Sequence, residues 1–354
     1  MEEEKLIIDE KEIKKRKKKK KNKINKWFYT FVVLDILAVL GLFVVYGPWD
    51  GFRNLWITSA MTTMSHHYLA NTFYSEDTIN KTISMNYVED IDEATNVDAI
   101  SFSNTDTGVY ESEYEEQILK RNEGNDLYKV FDVKVNGSTA HIAVIYDPSR
   151  IHYTVSSRIT RGGQRLFELA KEQEAIVAVN ASGFARRGVK LIPNGVTIMD
   201  GKVLQNGKID SKQQGIIGFN NDNVLVLIKG DADDAIKAGL RDAMTFGPFL
   251  YVNGAPAKIS GNGGGGCHPR TVIAQRKDGI VFFIVFDRRD YIKGELGATF
   301  SDLVQVLTRY KAYNAANLDG GGSSTLIVEN KFGNKPGAAD YPQGRYLPDA
   351  WIIK

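Results

Sequence analysis

The chain has 354 residues, 43% of them apolar and 25% charged, which is enough to bury a core and excludes wholesale disorder. A single cysteine, Cys267, excludes a disulfide scaffold and a cysteine-built structural zinc site. The net charge of +2 is unevenly placed: residues 1–50 hold 12 basic and 8 acidic side chains and the remainder holds 33 and 35, so a nucleic-acid surface spread over the main domain is not supported.

Residues 1–26 read as a basic cytoplasmic tail, with eleven Lys or Arg among the sixteen residues from Lys11 to Lys26. Residues 27–47 form a mostly apolar run that spans roughly 31 Å as a helix, one hydrocarbon core. The run is longer than a signal-peptide core, and Pro48, Trp49 and Asp50 follow it rather than a small-residue cleavage site. The sequence therefore predicts one uncleaved transmembrane helix in contact with membrane lipid. The basic cluster holds the N-terminus in the cytoplasm and places the rest of the chain outside the cell. Directly before a span, that cluster reads as a topology signal with affinity for anionic lipid. Asp35 lies inside the apolar run, where a carboxylate costs roughly 2.5–3.5 kcal/mol. Either the surrounding apolar residues tolerate it, or it contacts a partner helix.

Residues 48–127 read as a juxtamembrane helix and linker. A helix is predicted over 52–74, because Ile57, Met61, Met64 and Tyr68 fall on one stripe. It packs on the domain, on a second copy or on an envelope-complex partner. His66 and His67 are weak metal ligands, since neighbouring helix positions point about 100° apart. Residues 75–125 are polar and turn-rich.

Strand signals dominate residues 128–354. Tyr128–Val135 and Thr139–Tyr146 flank the hairpin turn Asn136-Gly137. A helix is predicted over Gly163–Lys171 and a buried strand over Ala175–Asn180. Hairpins follow around Asp200-Gly201 and Asn220–Asn223, then a helix over Asp231–Arg241. Thr271–Gln275 and Ile280–Asp287 pair through Asp278-Gly279. Thr299 caps a helix over Thr299–Tyr313, and strands return over Asn314–Asp319 and Ser324–Glu329. The pattern predicts an α+β fold of mixed, hairpin-rich sheets with a few packing helices, preceded by a single transmembrane helix.

Polar residues close several apolar strands: Asn180, then Asp287 with Arg288 and Arg289, then Asp319 with Gly320, Gly321, Gly322, Ser323 and Ser324. Strand ends commonly line clefts. Glycines let backbone N–H groups converge on an oxyanion, serine hydroxyls add donors, and arginine grips phosphate with a planar fork. Arg270, Arg289 and the Gly320–Gly322 turn would make an anion pocket. Asp287 and Asp319 would serve as base, acid or nucleophile, with His268 as an acid or donor. Gly261, Gly263 and Gly266 match G-x-G-x-x-G, but Pro269 and a strand follow where a helix should begin, so a dinucleotide site is not indicated. The glycines have a plainer reading as tight turns, and Asp287 one as a surface partner of Arg288 or Arg289. Cys267 and His268 are adjacent in an extended stretch and point apart, which disfavours a nucleophilic pair. No ligand spacing argues for a divalent cation, and no cofactor is implied.

These residues, taken together, resemble the phosphodiester glycosidase family. The resemblance rests on His268-Pro-Arg-Thr271, Asp287-Arg-Arg289 and above all Asn317-Leu-Asp-Gly-Gly-Gly-Ser-Ser-Thr325, with Gly247–Gly254 and Asn180–Phe184 similar to earlier motifs. It covers roughly residues 130–354, and the front end resembles single-pass bacterial members labelled exopolysaccharide biosynthesis proteins. It implies hydrolysis of a sugar-1-phosphodiester, of the N-acetylglucosamine-1-phosphodiester α-N-acetylglucosaminidase type. By motif match it places Arg270, Thr271, Asp287, Arg289, Asp319 and the following glycines at the site, with Asn180, Gly183 and Phe184 on the sugar-facing wall. Three departures stand out: Arg288 where the family has Gly, Ala181-Ser182 where it has Gly-Gly, and Gly344 before Arg345 where it has Glu.

The sequence thus points to a membrane-anchored, extracytoplasmic glycosidase. Its expected substrate is a phosphate-containing cell-surface polysaccharide, a teichoic-acid-type polymer or a lipid-linked glycan. The rival reading is a non-catalytic polysaccharide-binding or assembly protein of an envelope complex. Asp35 and residues 52–74 are the expected contacts for a second copy or a complex partner.

Overall fold

The computed structural model describes residues 2–63, 66–209, 211–337 and 341–354, which fall into two compact units, Met1–Asn54 and Leu55–Lys354. The first unit is dominated by one helix, Glu2–Tyr46. Its stretch Lys26–Tyr46 is long and apolar enough to cross a membrane, and none of it is buried against protein. The helix Asp50–Met61 straddles the boundary between the units.

The helix expected over 52–74 is broken. It stops at Met61, and a short helix Tyr68–Asn71 follows. The apolar stripe is correspondingly divided: Ile57 is fully buried, Tyr68 is exposed, and Met64 lies outside the described residues. The polar stretch that follows is more ordered than its composition suggests. Ser75 and Ser112 cap the helices Glu76–Met85 and Glu113–Leu119 by accepting from backbone N–H groups. Ile118 and Val88 enter the same core as the main sheet.

Residues 128–354 form antiparallel sheets. The largest has seven strands, in the order Ala255–Pro256, Phe249–Val252, Ala312–Leu318, Thr271–Arg276, Val281–Phe286, Ser138–Ile145 and Tyr128–Val135. Its hairpins use the expected turns: Asn136 and Gly137 both take positive φ, as that two-residue turn requires. A five-stranded sheet is built around Val177–Asn180 and Asp349–Ile353, and another around Gly215–Asn220 and Leu240–Phe246. The helix Phe300–Arg309 covers one face of the large sheet through Leu303, Val306 and Leu307. The other face packs against the two five-stranded sheets, with Phe283, Trp351 and Phe219 at the centre. This is the mixed α+β architecture expected.

Two helices end earlier than expected, for the same reason. Thr299 does cap its helix, in a reciprocal pair with Asp302, but the helix ends at Arg309 because Lys311 takes a left-handed conformation and Ala312 begins a strand. Gly239 likewise ends the helix Ala232–Lys237 before the strand at Leu240.

Candidate active site

Two central strands deliver the site. Ala312–Leu318 ends at Asp319, whose N–H donates to the Ala181 carbonyl (3.0 Å) just past the end of Val177–Asn180. Asn180 ties the junction. Its Nδ2 donates to the Asp319 carbonyl (2.6 Å), and its Oδ1 accepts from Thr271 Oγ1 (2.8 Å) and from the Thr325 N–H (3.1 Å). One buried amide therefore joins three strands that are far apart in the chain. Asn180 and Thr271 act from behind the site, not on its wall.

In front of this junction opens a cleft of ≈ 890 Å³. Of the residues singled out from the sequence, His268, Arg270, Arg289, Asp319, Gly320, Gly321, Gly322, Gly183 and Phe184 line it. Asp319 is the one carboxylate among the described lining residues, against the four arginines Arg270, Arg288, Arg289 and Arg345.

Asp287 is not on this wall. It is 3% exposed, accepts from His141 Nε2 (3.0 Å) and the Lys335 N–H (2.7 Å), and lies 3.6 Å from Lys335 Nζ. Burial raises its pKa, but His141 and the Lys335 amide outweigh that and hold it below the ordinary value. The expectation that Asp287 shares the proton chemistry is corrected: it is a structural anion in a His141–Asp287–Lys335 network. The surface pairing with Arg288 or Arg289 is not observed either.

His268 is also reassigned. Arg289 donates to its Nδ1 (2.7 Å), which leaves Nε2 to donate to Thr62 Oγ1 (2.9 Å). Burial, then the charges of Arg270 and Arg289, push its pKa down to about 3. The ring is neutral and both nitrogens are occupied, so it orients Arg289 rather than transferring protons. Arg289 donates also to the Cys267 carbonyl. Burial pushes the Cys267 thiol up, as befits an inert cysteine.

Arg270 spends its donors on the glycine loop. It reaches the carbonyls of Gly265 (2.6 Å), Gly266 (3.0 Å) and Ala298 (3.1 Å), and its guanidinium lies 4.4 Å from the centre of the Phe300 ring. It brings a positive charge to the cleft and holds the loop Gly261–Cys267 in shape. The far side of that loop rests on the segment after the apolar helix. Ser59 Oγ accepts from the Cys267 N–H (3.0 Å), and a Cβ on Gly266, at φ +61°, would run into the Ser59 backbone. Thr62, Thr63, His66, Asn86 and Tyr87 then form one wall of the cleft. Sequence reading missed this wall, since no local pattern links these residues to a loop two hundred positions away.

The glycine turn is mostly self-satisfied. The N–H groups of Gly320, Gly321, Ser323 and Ser324 bond to Asp319 Oδ1, Pro269 O, Gly320 O and Gly321 O. They do not converge on the cleft as expected. Ser323 and Ser324 are fully buried beneath it rather than lining it. Asp319 is the cleft's carboxyl group, and its setting alters it. Burial lifts its pKa to about 6, against the opposing effects of the Ser323 hydroxyl and the Arg345 charge. Arg345 lies 4.7 Å from the centre of the Phe184 ring. Asn317 Nδ2 donates to the Gly247 carbonyl (2.9 Å), while its buried Oδ1 has no donor among the described residues. Among those residues no group of three or more His, Cys, Asp or Glu could hold a metal ion.

The sequence model of the phosphodiester glycosidase (NAGPA) family matches residues 173–354. The chain is 30% identical over 199 residues to YomE, an SPbeta prophage-derived uncharacterized protein of Bacillus subtilis strain 168. That match takes in 53% of this chain and 29% of YomE, so the chain spans under a third of that relative's length. Among solved structures, it resembles the zebrafish N-acetylglucosamine-1-phosphodiester alpha-N-acetylglucosaminidase catalytic domain auto-inhibited by pro-peptide. The TM-score is 0.53 at 18% identity, over 66% of this chain and 85% of that one, a likeness of fold. A hypothetical protein from Synechocystis follows with a TM-score of 0.46 at 16% identity, over 64% and 62% of the two chains. With the family model covering just over half of its length, the chain belongs to the phosphodiester glycosidase family.

Proposed function

We propose that this protein hydrolyses, or transfers, a sugar joined through its anomeric carbon to phosphate, at the outer face of a membrane to which its N-terminal helix tethers it. The observation that carries this reading is the pairing of one carboxyl group, Asp319, with Arg270, Arg289 and Arg345 in a single cleft. Most glycosidases need a second carboxyl to protonate an alkoxide leaving group. A phosphate ester departs as a stable anion, so fixed positive charge does that work instead. One carboxylate then suffices, as the base that activates water or as the nucleophile at the anomeric carbon. With its pKa near 6, Asp319 is mostly ionised at neutral pH and still basic enough to accept a proton. Phe184 and Phe246 supply flat apolar surface on the cleft wall for a sugar ring. Family membership supports the reaction class, and the apolar helix Lys26–Tyr46 supports the tether.

The test uses the full chain in detergent with a synthetic sugar-1-phosphodiester. Free sugar should be released, and Asp319→Asn should abolish release while leaving phosphate-competitive binding in place. Tight glycan binding without release would identify the non-catalytic alternative; release that survives Asp319→Asn would remove Asp319 from the chemistry.

A further inference from the structure

A strip of positive charge runs along the hairpin Phe184–Arg187 and Lys190–Pro193, with Arg186 on the face that Phe184 shares and Arg187 and Lys190 on the other. It starts at Phe184, which lines the cleft under Arg345. Arg186, Arg187 and Lys190 are exposed, and among the described residues none has a carboxylate within 4.0 Å. Register places Arg187 directly opposite Lys190. Like charges in that position repel and cost stability, and nothing local offsets the cost. The second arm packs on the turn Ile159–Arg161, which adds the exposed Arg161. The part of the chain after residue 50 has more acidic than basic residues, so this is segregation of charge and not a basic background.

We infer that the hairpin is a second anion-binding surface for a linear polymer with repeated phosphate groups, one phosphate held in the cleft and the next ones laid over the hairpin. This rests on the reaction proposed above and selects, among its substrates, a polyphosphodiester chain over a single small ester or an isolated lipid-linked sugar. Phe184, which lines the cleft against Arg345, places the hairpin beside the reacting site and favours that occupant. Each arm extends about 13 Å, long enough to follow a chain beyond its reacting unit. The exposed charges contribute through counterion release and long-range attraction, so their effect is salt-dependent.

The experiment compares wild type with the triple variant R186Q/R187Q/K190Q, as full chains in detergent. Binding of long-chain inorganic polyphosphate, of orthophosphate and of duplex DNA is measured over a salt series. The variant should bind polyphosphate about 10-fold more weakly, with a log–log salt slope shallower by about two to three, while its orthophosphate affinity should not change and its melting temperature should not fall. Unchanged polyphosphate affinity overturns the inference. So does a larger loss for duplex DNA than for polyphosphate, which would make the strip a nucleic-acid surface. If wild type releases no sugar yet its polyphosphate binding depends on the strip, the reaction fails and the strip stands. If both proteins turn over a small sugar-phosphodiester equally and bind polyphosphate equally, the reaction stands and the strip falls.

Discussion

Thr62 Oγ1 lies 2.9 Å from His268 Nε2, a contact between residues 206 positions apart that joins the segment after the apolar helix to the cleft. On the other side of the same ring, Arg289 donates to Nδ1. The chain Thr62–His268–Arg289 therefore sets where one cationic group of the cleft points. Thr62→Val keeps the shape and removes the acceptor, leaving a buried N–H unsatisfied. Stability should drop by about 1–2 kcal/mol in a denaturant titration. Turnover should drop further than stability explains, with Thr62→Ser restoring most of both. A Thr62→Val protein with full turnover would show that the relay does not orient Arg289.

The pH dependence follows from Asp319 rather than from histidine. His268, held near 3, stays neutral through the working range, so no histidine limb is expected. Asp319 titrates near 6, and kcat/KM should fall as pH drops through that value, because the protonated carboxyl can neither accept a proton nor attack. A pH–rate profile checks it, and replacing His268 with Asn should leave the inflection in place.

The same raised pKa carries a stability cost with a definite sign. The folded-state value of Asp319 lies above the unfolded one, so the ionised carboxylate destabilises the fold above pH 6 and the strain eases as pH falls through 6. Full desolvation would make a shift of this size worth about 3 kcal/mol, but Asp319 borders an open cleft and the cost is lower. Asp319→Asn should therefore be more stable than wild type by about 1–2 kcal/mol at pH 7.5, and less than half of that gap should remain at pH 4.5. Thermal melts at the two pH values decide it.

The network behind the cleft has the opposite pH behaviour. His141 donates to Asp287 and pairs with Asp132 at 2.7 Å. Burial lowers its pKa, but the two carboxylates outweigh that and the net shift is upward. Its contribution is complete below about pH 6.5 and is lost as pH rises through the raised folded value. Asp287 is shifted down, so its contribution is present above about pH 4 and is lost as pH falls through the lowered value. His141→Gln should cost about 2–4 kcal/mol near pH 5.5, and less at pH 9, because it strands a buried carboxylate. Denaturant titrations at both pH values test the trend.

The fold was largely legible, and the reasons are local. Asn136-Gly137, Asp200-Gly201 and Asp278-Gly279 each force a turn, and alternation fills in the strands between them. The glycine-rich string after Leu318 likewise marked the cleft. Which acid faces it was not legible, because Asp287 and Asp319 both close apolar strands and look alike in one dimension. Only packing shows that His141 and Lys335 take one of them out of the cleft. The break after Met61 was hidden for a related reason: the apolar spacing continued, while Thr62 was drawn to His268 across the fold.

Arg270 and Arg345 both line the cleft, and they should respond differently to substitution. Arg270 holds three backbone carbonyls in fixed directions, which a lysine ammonium on a flexible stem cannot reproduce. Arg270→Lys should cost about 2–3 kcal/mol of stability, since it leaves buried carbonyls of the glycine loop unpaired. Arg345 lies on an aromatic ring at the cleft wall and takes part in no ion pair among the described residues. Arg345→Ala should leave the melting temperature within a few degrees of wild type. It should raise KM for a sugar-phosphodiester by about 10- to 100-fold, the loss of one charged contact to the anion. If Arg345→Ala instead unfolds the protein and Arg270→Lys only raises KM, the two arginines have exchanged the roles assigned to them here.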